Sequence, residues 1–250
     1  MAERYDSRFE TARAPAHARA DIDAGLRSYM LRVYNYMASG VLLTGIIALL
    51  TSTSPMVASL LYNITPDGIL VGYTTLGMVA AFSPLAFVMI ISFGINRLSV
   101  TTTQALFWTF AAVMGLSLSS IMFIYTGGSV AKIFFITAAM FTSLSLWGYT
   151  TKKDLTGWGS FLFMGLVGII IASVVNMFVA SSVMEFAISI IGVLIFAGLT
   201  AYDTQKIKEM YYEGDSSDTT TKKAVMGALR LYLDFINMFL MMLRLFGNRN

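Results

Sequence analysis

Long apolar runs follow one another along this chain with only short polar breaks between them. Seven of these runs each approach the roughly 20 residues needed to cross a bilayer core as a helix. They fall at residues 31–50, 77–95, 105–125, 131–149, 158–179, 184–202 and 230–246. Residues 51–75 hold a shorter apolar piece at 56–62, which Pro55, Pro66 and Asp67 restrict to an interfacial element. The pattern predicts an all-α integral membrane protein with seven transmembrane helices.

Residues 1–27 stand apart. They are rich in Ala, Arg and Asp and hold no apolar run, so they cannot serve as a cleaved secretory signal. Glu3, Asp6, Glu10, Asp21 and Asp23 argue against a mitochondrial presequence, because such peptides avoid acids. A disordered cytosolic tail is expected there, followed by a single transmembrane domain over 28–250.

Orientation follows from lysine and arginine in the connections. Arg4, Arg8, Arg13, Arg19, Arg27 and Arg32 precede or open the first span, Arg97 follows the second, and Lys152 and Lys153 follow the fourth. Lys206, Lys208, Lys222 and Lys223 follow the sixth, whereas the alternate connections carry only Lys132. The N-terminus is therefore expected in the cytosol. Seven crossings would put the C-terminus outside, and a last segment that turned back would return it.

Composition changes the picture by exclusion. Of 250 residues 56% are apolar and 12% charged, about half the charge of an ordinary soluble domain. Mean hydropathy is +0.70. Cysteine is absent, which removes disulfides, thiolate metal sites and cysteine nucleophiles. The single His17 lies in the polar tail, so a Ser-His-Asp triad lacks its base and a histidine-based metal site cannot form. The net charge of +3 is spread over several loops and reflects positive-inside bias; no nucleic-acid partner is implied.

Packing signals accompany the spans. Ala111/Gly115 and Gly168/Ala172 have the small-xxx-small spacing that lets helix backbones approach, and Ser117, Ser119, Ser120 and Ser143 can hydrogen-bond between helices. Pro84 removes one backbone hydrogen bond inside the second span. Trp108, Trp147, Trp158 and Tyr149 fall near expected helix ends and suit an interfacial belt.

The candidate chemistry is acidic. Asp203 ends the sixth span and Asp234 lies inside the seventh, where an ionised carboxylate is costly and usually faces a protein interior or a water-filled cavity. Arg230 precedes Asp234 by four residues and shares its helix face. If Arg230 marks the cytosolic interface, Asp234 lies about 6 Å deeper, at a level similar to Asp203. Arg97 sits on the same side. Two carboxyls brought together in a poorly solvated place disfavour double ionisation and tend to hold one proton, which makes the pair a proton switch. With the proton lost, repulsion separates the helices or a cation enters, and a hard divalent ion such as calcium suits an all-oxygen site. The plainer alternative is equally open at this level: Asp203 pairs with Lys206, and Asp234 with Arg230 on its own helix.

The same residues carry a resemblance. A helix ending in AYDTQKIK at 201–208 and a last helix reading LRLYLDFINMFLMMLRLFG at 229–247 resemble the transmembrane Bax inhibitor motif family in its bacterial branch. FGINR at 93–97 and TTKKDL at 150–155 support it, and the resemblance covers most of the chain. It implies six helices surrounding a central seventh, a pH-sensing pair at Asp203 and Asp234, an arginine partner at Arg97, and a pH-dependent calcium leak in a bacterial inner membrane. It implies no resident cofactor. One departure is visible: some members carry an acid in the second span about three turns before the arginine, where this chain has Ala86. Arg230 beside Asp234 would also modulate the pair.

Two functional classes follow. One is a passive, proton-gated cation leak. The other is a non-transporting regulator that binds another membrane protein such as a membrane protease, a role described for some bacterial relatives, with the charged tail as its handle. An intramembrane hydrolase of the metal-dependent ceramidase kind needs a histidine cluster and is set aside, so an enzyme is not expected.

Overall fold

The computed structural model describes residues 10–66 and 69–250, with side chains from Ala24 onward. Its seven membrane-length helices follow the hydropathy reading, with ends that extend beyond it. Helix α1 (Glu10–Thr53) supplies the first span over Ala24–Thr53. A short helix α2 (Pro55–Leu61) and a two-stranded antiparallel hairpin, β1 (Tyr62–Ile64) and β2 (Leu70–Tyr73), fill the connection expected to be interfacial. Pro55 occupies the first turn of α2, where its missing N–H costs nothing.

The remaining spans are α3 (Thr75–Gly94), α4 (Val100–Leu118) continued by the single turn α5 (Ile121–Ile124), α6 (Gly127–Thr150), α7 (Thr156–Val179), α8 (Ser182–Glu209) and α9 (Ser217–Phe246). Side-chain oxygens cap several entries: Thr74 accepts from Gly77 N, Ser99 from Thr102 N, Ser181 from Met184 N and Ser216 from Thr219 N. Helix α3 runs through Pro84 without interruption.

Three differences from the sequence reading have physical reasons. Helix α1 begins at Glu10, within the stretch expected as a disordered tail, and residues 1–9 of that tail lie outside the described residues. Alternating alanines at 12, 14, 16, 18 and 20 are strong helix formers that a hydropathy criterion does not register. Helix α9 begins at Ser217, 13 residues before the expected 230, because its polar first half still buries a stripe of Thr221, Ala224, Val225 and Ala228. Gly168 has open space where a Cβ would stand, so the Gly168/Ala172 pair does not serve close packing within this chain.

The other small pair behaves as its spacing predicts. A Cβ on Gly115 would lie 2.7 Å from both Ile47 Cβ and the Thr44 carbonyl, so α1 and α4 touch backbone to backbone there. Thr44 hydroxyl donates to the Ala111 carbonyl at 2.8 Å and bonds Tyr232 hydroxyl at 2.6 Å. That pair of bonds ties α1, α4 and α9 together deep in the apolar layer.

Helix α9 is the most enclosed span. Its membrane-length window is 72% buried, against 39% or less for the other six. It packs on α1, α4, α6 and α8 and touches α3. From Ala224 to Leu243 most of its circumference is apolar and buried, the signature of a helix inside protein rather than against lipid.

The two ends of α9 lie at opposite ends of the bundle. Near its start, Arg32 Nη1 donates to Thr221 hydroxyl at 3.0 Å, and Lys223 Nζ donates to the Met210 carbonyl at 2.9 Å. Beyond its end, Thr126 N donates to Asn248 O, Asn250 N to Ile124 O, and Arg249 pairs with Glu185 at 3.1 Å. The last helix therefore crosses the full bundle instead of turning back, and the C-terminal residues emerge at the end opposite the Lys- and Arg-rich loops.

Candidate functional site: an acid pair in a lateral cleft

The site is built on α8 and α9. Helix α8 continues past Tyr202 to Glu209, so Asp203 is six residues, or about 9 Å, inside the helix rather than at its tip. Two neighbours fix its height. Gly148 of α6 lies so close to the Ala201 backbone that there is no room for a side chain, and Thr204 bonds Ser145 at 2.8 Å. Ser145 in turn bonds Tyr34 hydroxyl at 2.7 Å, which joins α1, α6 and α8 through a short polar ladder.

The residues after Asp203 grip the loop that enters α7. Gln205 accepts from Leu155 N at 2.8 Å and donates to the Lys153 carbonyl at 2.8 Å, satisfying both ends of its amide. Lys206 donates to Thr156 hydroxyl and pairs with Glu209, both at 2.7 Å, and Lys208 donates to the Tyr149 carbonyl at 2.9 Å. The TTKKDL loop is thus a clasp that holds the ends of α6, α7 and α8 as one unit. Asp154 completes it by accepting from Thr156 N at 2.8 Å; the Thr156 hydroxyl and N–H hold its carboxyl below the usual carboxylate range.

Asp203 and Asp234 meet across the α8–α9 contact, with their carboxyls within hydrogen-bonding reach of each other. Asp234 is 5% exposed, and no N–H or hydroxyl donor reaches its Oδ2 among the described residues. A buried carboxyl oxygen with no donor is costly, and a proton held between the two groups removes that cost. Lys206 is engaged elsewhere, as described, so it is not the partner of Asp203. Arg230 is exposed at the rim, and its charge acts on both carboxyls without closing an ion pair within 4 Å. The plain pairing of each acid with the nearest base on its own helix is not formed.

The pair lies in the wall of a cleft of about 1090 Å³ bounded by α3, α7, α8 and α9. Arg230 and Asp203 mark one end and Glu185 and Arg244 the other, a span of about 21 Å along α9 from Arg230 to Arg244. Between them the wall is chiefly apolar, with Phe163, Ile169 and Val174 of α7 facing Ile188 and Phe196 of α8. Helix α3 contributes only Leu85 and Val88, so the second span supplies no carboxylate to this space.

Arg97 is placed differently from the two acids. It is exposed in the turn after α3, outside the residues that line the cleft or act on the pair. Asn237 is a cleft residue that motif reading passed over. It follows Asp234 by three positions, which is the same helix face, and its amide nitrogen donates to Leu233 O at 2.8 Å, leaving the amide oxygen available. The spacing within LDFIN could have found it. Among the described residues no three acidic or histidine side chains gather as a metal site; at the acid-pair end the cleft offers the carboxyls of Asp203 and Asp234 and the Asn237 oxygen, and toward the other end Ser173, Asn176 and Glu185.

Seven membrane-length helices define a multi-pass membrane protein, and a buried acid pair stands between two of them. Residues 26–250 match the family described as inhibitor of apoptosis-promoting Bax1, and the chain belongs to that Bax inhibitor-1 family. It is 49% identical to an uncharacterized protein of Caulobacter vibrioides over 94% of this chain and 95% of the relative. It is 47% identical to the inner membrane protein YbhL of Escherichia coli K12, over 90% of this chain and 94% of that one. Protein RP147 of Rickettsia prowazekii is 46% identical over 91% and 92% of the two chains.

Proposed function

We propose that this protein is a passive cation leak of a bacterial inner membrane, with its N-terminus in the cytosol and a proton shared by Asp203 and Asp234 as the gate. Calcium is the cargo this reading favours, because carboxylate and amide oxygens are the donors on offer. The single observation that carries it is the contact of the two carboxyls in the wall of a cleft that runs along about half the length of α9. With the proton in place the pair is a hydrogen bond that holds α8 to α9. When it leaves, two like charges face each other in a poorly solvated space, and the helices part or a cation takes the proton's place. Arg230 moderates the repulsion from the rim. Arg97 enters as a gate counter-ion only if the turn after α3 moves toward the pair. No catalytic chemistry and no resident cofactor belong to this reading.

The test is reconstitution into liposomes loaded with a calcium dye. Flux should depend on pH in the wild type, and Asp203→Asn with Asp234→Asn should abolish that dependence. A flux that is absent, or that keeps its pH dependence in the double variant, overturns the reading.

A second reading is a non-transporting regulator bound to another membrane protein such as a membrane protease. It is favoured by the small number of oxygen donors along the apolar stretch of the cleft. Deleting residues 1–27 discriminates the two: a leak keeps its flux, whereas a tail-dependent regulator loses its partner.

A further inference from the structure

The outward face of α1 changes character along its length. From Leu42 onward it is apolar, with Leu42, Ile46, Leu49 and Leu50 exposed as a lipid-facing stripe should be. The three turns before that are polar on the same outward side: Arg32 and Asn35 are exposed and Ser39 half-buried. Ser39 lies about 10 Å along the helix from Arg32, so the polar stripe reaches well into the apolar layer. Within that layer a polar group facing outward without a partner is unfavourable.

These residues are not scattered. They line a pocket of about 830 Å³ between α1, α4 and the start of α9, at the Lys- and Arg-rich end of the bundle. Its lining includes Arg27, Arg32, Asn35, Ser39, Gln104 and Trp108 and, among the described residues, no carboxylate. Arg32 uses Nη1 on Thr221, and Gln104 Nε2 bonds the Tyr36 hydroxyl, which presents both side chains in fixed positions. The Asn35 side-chain amide makes no hydrogen bond among the described residues. The Ser39 hydroxyl donates within α1, to the Asn35 and Tyr36 carbonyls. The pocket therefore offers two guanidinium groups and the Asn35 amide to something rich in acceptor oxygens and negatively charged.

We propose that this pocket holds the headgroup phosphate of an anionic phospholipid, with the glycerol esters against the Asn35 amide and an acyl chain running past Ser39 along the apolar stripe from Leu42. Position selects a lipid over a soluble anion: the pocket opens on the outward face of two membrane-spanning helices, and its lower edge continues directly into lipid-facing surface. Basic pockets between spans at the positively charged side suit phospholipid headgroups for the same electrostatic reason. The proposal is independent of the Asp203–Asp234 pair, which opens into a different cleft.

Trp108 at the pocket rim is the reporter. In a Trp147→Phe, Trp158→Phe background it is the sole tryptophan of the chain. The full-length protein is placed in phosphatidylcholine vesicles doped with either phosphatidylglycerol or phosphatidylcholine brominated high on the acyl chain. Brominated phosphatidylglycerol should quench Trp108 more than brominated phosphatidylcholine at equal content, and Arg27→Gln with Arg32→Gln should remove the excess. Retained quenching by brominated phosphatidylcholine certifies that the double variant is still inserted. Equal quenching by the two lipids overturns the proposal, as does an excess that survives in the double variant. An excess abolished by millimolar inorganic phosphate assigns the pocket to a free anion and overturns the lipid assignment.

Discussion

Asp234 of α9 faces Asp203 of α8, and one oxygen of Asp234 is buried without a donor from any other described group. Neither acid forms an ion pair with any described residue, although Lys206 and Arg230 are each within about one turn in sequence. The contact thus lacks the usual compensation for buried charge, and in the proposed reading a proton or a cation supplies it. Asp234→Asn supplies an amide donor to Asp203 at the same volume. Expected is a contact that no longer needs the proton, so that thermal unfolding in detergent becomes less dependent on pH than in the wild type. Melting curves at several pH values check this.

Arg97 gives a contrasting expectation. It is exposed and outside the cleft, so Arg97→Gln should leave the pH profile of any calcium flux unchanged if this arrangement is the conducting one. A displaced profile would show that the turn after α3 approaches the pair during gating.

The Gln205 clasp can be tested by removing its atoms. Leu155 N is buried and has Gln205 Oε1 as its acceptor. Gln205→Ala orphans it, for an expected loss of about 1–3 kcal/mol. Gln205→Glu keeps the acceptor for Leu155 N but sets a carboxylate oxygen against the Lys153 carbonyl, so it should destabilise while Leu155 N stays bonded. Melting temperature and amide exchange at Leu155 report both.

Asp154 adds a pH response outside the membrane. Its carboxyl is held below the ordinary range by Thr156, so the contribution of this contact is present above the unfolded carboxylate range and is lost as pH falls through the lowered value. Exchange of the Thr156 amide should accelerate at that acidic end, and Asp154→Asn should remove the acceleration.

Thr44 and Tyr232 separate a lost bond from an orphaned group. Thr44→Val leaves the buried Tyr232 hydroxyl and the Ala111 carbonyl without their partner, an expected cost of about 1–3 kcal/mol. Tyr232→Phe removes the hydroxyl itself while Thr44 keeps its bond to Ala111, so it should be the milder change. Melting temperatures of the two variants in one detergent rank them.

Close helix contact makes a further pair of opposites. Gly148→Val inserts a branched side chain against the Ala201 backbone and should destabilise by about 1–3 kcal/mol. Gly168→Val meets open space and should fall within about 0.5 kcal/mol of wild type. The same detergent melts distinguish them.

Hydropathy by itself determined the number of spans and their approximate places, because a bilayer demands about 20 apolar residues per crossing whatever the fold. It determined the exclusions as well, since a chain with no cysteine and one histidine cannot assemble the sites those residues make. The two acids stood out for the same reason: charge inside an apolar run is rare enough to mark a site. Equal spacing motifs, however, gave opposite outcomes at Gly115 and Gly168, because a small residue matters only where another backbone passes, and sequence does not say which helix is the neighbour. The polar first half of α9 was invisible to hydropathy because tertiary burial of one stripe, not mean apolarity, holds it in a helix. Which carboxyl faces which, why Lys206 turns to Glu209 instead of Asp203, and where Arg97 comes to rest are settled by the rotation and depth of helices packed against one another. Those are properties of the assembled bundle that no single segment encodes.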